Sequence, residues 1–303
     1  MNIENFQNPS KEYREVPFWS WNDRLERDEL VRQIEEMDKQ GWGGFFMHSR
    51  KGLVTPYLSE EWLNRIQECV EEAKRRGMGA WLYDEDKWPS GFCGGKIPKL
   101  GSEYRQKALL MREDELELSQ DEVQLLKAYA ARKQGPKSYA DITCIDADAA
   151  EQWKKEGYTI LYFYKWTQPI GPNRFNNTAW VDLLNPKVTD AFLESTHEIY
   201  KRRIGSEFGK TVPGIFTDES TVLYWAYAPK IALPWSEHFE TYFMEYNGYD
   251  ITEKLPYLFI NLDGFEKIRY DYWKVVTGCF VENYVKHIYE WCERNNLKYT
   301  GHF

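Results

Sequence analysis

The sequence has little that would direct it to a membrane or a nucleic acid. Its 303 residues contain no run of 18 apolar residues, and the first fifteen contain no apolar signal core. Lys and Arg number 39 against 48 Asp and Glu, which gives a formal net charge of -9. A phosphate backbone needs concentrated basic charge. We therefore expect a cytoplasmic protein that binds neither membrane nor nucleic acid.

Cysteines and the common catalytic motifs are also scarce. The five cysteines have no CxxC spacing, which predicts free thiols; they are Cys69, Cys93, Cys144, Cys279 and Cys292. The chain lacks HExxH, an HxH pair, GxSxG, GxGxxG and GxxxxGK[ST]. Motif-based metal, acyl-transfer, dinucleotide and P-loop sites are thereby excluded, and no metal ligand is predicted.

What the sequence does contain is an alternation of strands and helices over its first 90 residues. Apolar strands are predicted at 16–21, 43–50 and 79–86, with amphipathic helices at 28–40 and 60–76 between them. Apolar strands that alternate with helices indicate a parallel sheet covered by helices. Both a doubly wound sheet and a barrel would satisfy this pattern.

The alternation stops at residue 92 and returns at residue 185. Short apolar segments bounded by Gly, Pro and charged clusters predict an inserted β-rich subdomain at 92–184. Further helices are predicted at 185–205 and 264–294, and further strands at 211–220 and 297–303.

Five strands of this kind predict an α/β fold of the TIM-barrel type, in the form of an incomplete (β/α)8 barrel. Its predicted parts are 1–91 with strands one to three, the insertion at 92–184, and 185–303 with strands four and five. We expect the chain to be the N-terminal part of a longer protein. An open barrel edge would favour self-association.

Polar and aromatic residues follow each predicted strand where it ends. They are Trp19, Trp21, Asn22 and Asp23 in the first, His48, Ser49 and Arg50 in the second, Asp84, Glu85 and Asp86 in the third, Asp218 and Glu219 in the fourth, and His302 in the fifth. The carboxyl ends of parallel strands lie at one face, where barrel enzymes build their active sites. Helix capping, a core histidine and an ion pair from Arg50 to one of the acids remain alternatives for single residues.

These residue types suit the cleavage of a glycosidic bond. That reaction needs a carboxylic acid to protonate the leaving oxygen and a carboxylate to act as base or nucleophile. The 13 Trp and 21 Tyr residues can supply flat apolar faces for a sugar ring. The acids at 84–86, together with Asp218, could instead hold a hard cation such as Ca²⁺.

Four segments together resemble the N-terminal half of the catalytic barrel in bacterial glycoside hydrolases related to the family 106 α-L-rhamnosidases. They are PFWSWND at 17–23, GGFFMHSRKGLVTPYLSEEW at 43–62, WLYDEDKWPSGFCGG at 81–95 and PGIFTDES at 213–220. The resemblance implies a (β/α)8 catalytic barrel with accessory β domains, inverting hydrolysis by two carboxylates, and calcium dependence.

By position, the resemblance implies Glu219 as the general acid, with Asp218 as the second catalytic candidate. The partner carboxylate would lie beyond Phe303. The substrate-binding candidates are Trp19, Trp21, Asn22, His48, Arg50, Asp84, Glu85, Trp88 and His302.

The function expected from the sequence is a glycoside hydrolase that removes a terminal sugar and is similar to a rhamnosidase. A non-catalytic or truncated carbohydrate-binding barrel domain is the main alternative, and a metal-dependent hydrolase is a third. In each of the first two, the partner is a carbohydrate.

Overall fold

The computed structural model describes residues 3–113, 116, 122–136, 138–172 and 175–302. Parts of three sequence predictions lie outside these residues: the end of a strand at 114, loop residues 173–174, and the end of the last strand at 303. In the described residues, no helix is long and apolar enough to cross a membrane.

In chain order, the described strands are β1 (Phe18–Trp21), β2 (Gly44–Ser49), β3 (Gly79–Tyr83), β4 (Lys107–Arg112), β5 (Val123–Gly135), β6 (Ser138–Ile145), β7 (Thr159–Thr167), β8 (Gly214–Thr217), β9 (Ala232–Trp235) and β10 (Lys298–Gly301). The described α-helices are α1 (Ile3–Gln7), α2 (Arg27–Lys39), α3 (Glu60–Arg76), α4 (Ala150–Lys155), α5 (Pro186–Ser195), α6 (His197–Ile204), α7 (Phe239–Asn247), α8 (Leu255–Phe259), α9 (Phe265–Phe280) and α10 (Lys286–Arg294).

The chain divides into two compact units. Unit 1 consists of Met1–Lys96, Thr189–Ser220 and Lys286–Phe303, and unit 2 consists of Ile97–Val188 and Thr221–Val285. The domain boundaries expected from the sequence remain predictions.

Unit 1 contains a parallel sheet with the strand order β1-β2-β3-β8-β10. The predicted α/β class and parallel sheet are therefore confirmed. Within the described residues the sheet is open, with β1 at one edge and β10 at the other, and no closed barrel forms. Closure into a (β/α)8 barrel remains a prediction.

Local sequence explains why α3 occupies the predicted range. The Ser59 side chain accepts a hydrogen bond from the Trp62 backbone N–H and caps the start of the helix. Gly77 ends it with a left-handed φ of 64°. The apolar face of α3 buries Trp62, Ile66 and Val70. This helix therefore begins and ends at its own capping residues.

Two long predicted helices are interrupted. The helix predicted at 185–205 is split into α5 and α6 at Thr196, whose φ of -125° and ψ of -71° are not helical. The helix predicted at 264–294 includes a π-helical turn at Val281–Val285 between α9 and α10. Hydrophobic periodicity alone did not reveal either change of geometry.

Unit 2 contains a mostly antiparallel sheet with the order β6-β5-β7-β4-β9. One face packs on α7, α8 and α9 through an apolar core that includes Leu109, Phe163 and Tyr272. Strand β9 belongs to this sheet although it lies outside 92–184, in a region predicted only as a helix-rich connection.

Candidate functional site

A row of polar and aromatic side chains crosses the carboxyl ends of β2, β3, β8 and β10 in unit 1. Arg50 Nη1 lies 3.5 Å from His48 Nε2. The His48 ring stacks on Tyr83, with ring centroids 3.8 Å apart. The Tyr83 hydroxyl donates to Asp218 Oδ2 at 2.9 Å, and Asp218 Oδ1 lies 3.2 Å from His302 Nδ1. Four predicted site residues are thus joined through Tyr83.

His48 is uncharged in this row at neutral pH. Burial, together with the positive charge of Arg50, lowers the pKa of His48 to about 4. The ring is 3% exposed. Its imidazole can therefore take part in neutral hydrogen bonds and stacking.

Glu219 follows Asp218 at the end of β8 and is exposed. Its φ of 45° lies in the left-handed region, which is uncommon for a residue with a side chain. The Glu219 backbone N–H donates to the His302 carbonyl at 3.1 Å. Glu219, Asp218 and His302 each offer a ligand atom, and these atoms lie within 4.8 Å of one another. The structure therefore brings both predicted catalytic acids together with His302.

Asp84 is fully buried below this group. The pKa of its carboxyl is raised to about 7, mainly by burial and also by the charge of Asp218. Hydrogen bonds from Ser90 and Thr217 act in the opposite direction. The Ser90 hydroxyl donates to Asp84 Oδ1 at 2.5 Å. Asp84 therefore contacts Ser90, and its carboxyl is not exposed to solvent.

Glu85 is also fully buried, and its carboxylate accepts four backbone N–H groups of the following loop. The donors belong to Asp86, Gly91, Cys93 and Gly94, at distances from 2.6 to 3.0 Å. Burial raises the pKa of Glu85 to about 8, although these hydrogen bonds act in the opposite direction. The geometry gives Glu85 a structural position at the centre of its loop, away from any sugar-binding surface.

Asp86 and Trp88 belong to the same loop. Asp86 accepts a hydrogen bond from Ser49 at 2.8 Å and pairs with Lys87 at 3.0 Å. Trp88 is half-buried and precedes Pro89 through a cis peptide bond. Arg50, in contrast, forms no ion pair with an acid among the described residues.

Trp19, Trp21 and Asn22 lie at a second location in unit 1. Both indoles point to the helix side of β1, because alternate residues of a strand face opposite ways. Trp19 donates from Nε1 to Gln33 of α2 at 2.7 Å, and Trp21 packs edge-on against Trp62 of α3. With the exposed Asn22, they line a cavity of about 290 Å³. We therefore leave them out of the proposed sugar-binding row.

Two residues of the site were missed from the sequence. The sequence predicts only that Tyr83 belongs to a strand. Because alternate strand residues share a face, Tyr83 lies on the same face as Trp81 and on the face opposite Leu82. Ser90 was taken as part of a turn. Besides Asp84, its contacts come from Asp218 and Ser220 after β8, more than 120 residues away in the chain, and local sequence gives no signal for those two.

Asp218, Glu219 and His302 are also the described residues best arranged to hold a metal ion. Calcium takes six to eight oxygen ligands, whereas this group offers two carboxylates and an imidazole. The donor set does not match calcium by itself, and the calcium expectation gains no support here.

No protein-family model matches the chain, and no curated protein matches it. Among solved structures, the chain is similar to a rhamnosidase from Novosphingobium sp. PP1Y, with 11% sequence identity and a TM-score of 0.61. The matched region covers 98% of this chain and 46% of that one, so the chain spans about half the length of that rhamnosidase. At this identity the match shows the fold, and the chain has a rhamnosidase-like fold.

Proposed function

We propose that unit 1 binds a sugar at the carboxyl ends of its parallel strands and belongs to a glycoside hydrolase. The observation that carries the proposal is the convergence of Glu219, Asp218 and His302 at the end of β8 and β10. The rhamnosidase-like fold supports the same reaction class. A rhamnose-like terminal sugar and a relation to family 106 are the finer parts of the proposal.

In this proposal Glu219 is the general acid that protonates the leaving oxygen. It is the exposed carboxyl of the group, whereas Asp218 is largely buried between Tyr83 and His302. Asp218 orients its neighbours, and the exposed His302 and Arg50 offer polar atoms for sugar hydroxyls, whereas the buried His48 stacks on Tyr83. Proton donation of this kind contributes about 10²- to 10⁴-fold in rate.

The first prediction concerns Glu219→Gln, which keeps the shape of the side chain and removes its acidic proton. We expect hydrolysis of aryl glycosides to fall at least about 100-fold with little change in KM. The measurement is turnover by the complete natural protein on a panel of phenyl glycosides that includes the α-L-rhamnoside, because a phenolate leaving group needs a proton. Glu194→Gln, at an exposed surface ion pair with Arg202, is the matched control, and unchanged turnover in Glu219→Gln would refute the assignment.

A sugar-binding unit without catalysis is the second candidate. It is favoured because Asp218, the other acid of this group, offers an atom within 4.8 Å of Glu219, closer than the about 6.5–9.5 Å between the two carboxyl groups of an inverting pair. The group therefore supplies Glu219 with no inverting partner. Calorimetry with a monosaccharide panel separates the two candidates. Binding without turnover supports the second one.

A further inference from the structure

Ser90 is a fully buried serine whose three polar groups all contact residues on either side of Glu219. Its backbone N–H donates to the Asp218 carbonyl at 2.9 Å. Its hydroxyl oxygen accepts the Asp218 backbone N–H at 2.8 Å. Its carbonyl accepts the Ser220 hydroxyl at 2.9 Å. Ser90 therefore holds the chain both before and after Glu219.

Ser90 is itself held in place by the two buried acids. Its hydroxyl donates to Asp84, which fixes the direction of the oxygen that faces Asp218. The backbone of the next residue, Gly91, donates to Glu85 at 3.0 Å. Two of the three acids in the sequence YDEDK thus support one serine.

The backbone geometry of Glu219 depends on the contacts that Ser90 makes with Asp218 and Ser220. The Glu219 backbone is in the left-handed region, a conformation that persists only where the surrounding structure imposes it. Among the described residues, the Glu219 carboxylate has no hydrogen bond or ion pair that would fix it directly. The direction of the side chain is therefore set by the backbone on both sides of it.

We propose that Ser90 is a positioning residue that holds the backbone of Asp218 and the hydroxyl of Ser220 so that the Glu219 carboxyl points at the leaving oxygen. This inference rests on the proposed glycosidase function. Ser90 acts through the backbone and does not touch the sugar.

The test compares glycosides that need proton donation with glycosides that do not. For the sugar that the complete natural protein hydrolyses, kcat is measured on two substrates. One is a 2,4-dinitrophenyl glycoside, whose leaving group departs without a proton, and the other is a phenyl glycoside, whose leaving group needs one. Ser90→Ala is expected to lower kcat on the phenyl glycoside by about 10- to 100-fold. It should change kcat on the dinitrophenyl glycoside and both KM values much less.

Two further variants separate positioning from general damage. Ser90→Cys keeps a weaker hydrogen-bonding atom and is expected to lie between the wild type and Ser90→Ala. Thr55→Val removes another buried hydroxyl, one that accepts the Leu25 backbone N–H at 3.0 Å, and should not change the ratio of the two rates. Circular dichroism of each variant gives the folded fraction to which rates are normalised.

An equal loss on both substrates in Ser90→Ala, with Glu219→Gln still selective for the phenyl glycoside, would overturn the positioning role and leave the proposed function intact. If neither variant is selective while the wild type is active, the role of Glu219 fails as well. If the complete natural protein hydrolyses no glycoside, the proposed function fails, and the positioning role fails with it.

Discussion

Adjacent acidic residues in this chain have different environments although they share one short stretch of sequence. The Asp84 carboxyl meets Ser90 below the site, whereas Glu85 points into its own loop and accepts four backbone N–H groups. Strand alternation predicts that neighbouring side chains point to opposite faces, so Asp84 and Glu85 are not expected to share one environment. The sequence could not indicate their burial, because the loop from 86 to 94 folds back over them in a conformation that the residue types alone do not specify.

Asp84 should make the stability of the protein depend on pH. Its pKa is about 7 in the folded protein and 3.8 in an unperturbed aspartate. Between these values the folded state holds a proton that the unfolded chain has released, so this contribution to stability is lost as pH rises from about 4 to about 7. Each pH unit in that interval corresponds to at most about 1.4 kcal/mol.

Asp84→Asn replaces the carboxyl with a neutral amide and should remove this contribution. The measurement is the free energy of unfolding from urea titrations of both proteins at several pH values. The variant should gain stability relative to the wild type as pH rises from 4 to 7, with a constant difference above pH 8. A difference that is constant over the whole range would contradict the burial of an ionisable Asp84.

At the scale of elements, the sequence predicted what its local signals control. The helix at 60–76 was predicted at its observed bounds, since a capping serine and a terminal glycine define it. The break at Thr196 was missed because the residues around it keep helical periodicity. The residue types after β3 indicate a turn. They do not specify the several positive φ angles that direct the backbone N–H groups of this loop at the Glu85 carboxylate.

Gly94 tests whether this loop is as tightly built as its contacts indicate. Gly77 and Gly94 have similar left-handed φ angles of 64° and 59°. A Cβ added at Gly77 would meet nothing within 4 Å, whereas one at Gly94 would lie 3.2 Å from the Asp86 Cβ. Gly77→Ala should therefore cost only the backbone penalty, about 1–2 kcal/mol, and Gly94→Ala should cost more. Urea unfolding of both variants measures the two costs, and equal losses would mean that the loop moves aside freely.

At the scale of the whole molecule, the parallel sheet of unit 1 has two open edges among the described residues. Unpaired N–H and C=O groups on an edge strand can pair with another chain. At the β1 edge, Phe18 is 44% exposed and Ser20 is exposed. Self-association through this edge remains a prediction.

Ser20→Lys places a charge on the β1 edge and should weaken such association. Light scattering coupled to size-exclusion chromatography, over a range of protein concentrations, should show more monomer for this variant than for the wild type. Ser206→Lys adds the same charge at an exposed position outside the sheet and is the control. A wild type that stays monomeric at all concentrations would rule out association through this edge.

The discontinuity of unit 1 has a consequence for the newly synthesised chain. Strands β1 to β3 are synthesised well before β8 and β10, which complete the sheet. Leu82 of β3 pairs with Ile215 of β8, and Phe216 of β8 pairs with Thr300 of β10. Contacts so far apart in sequence form slowly because long loops must close first. The Phe18 and Tyr83 rings, which contact Phe216 of β8, therefore remain uncovered by that strand until more than 120 further residues have been synthesised.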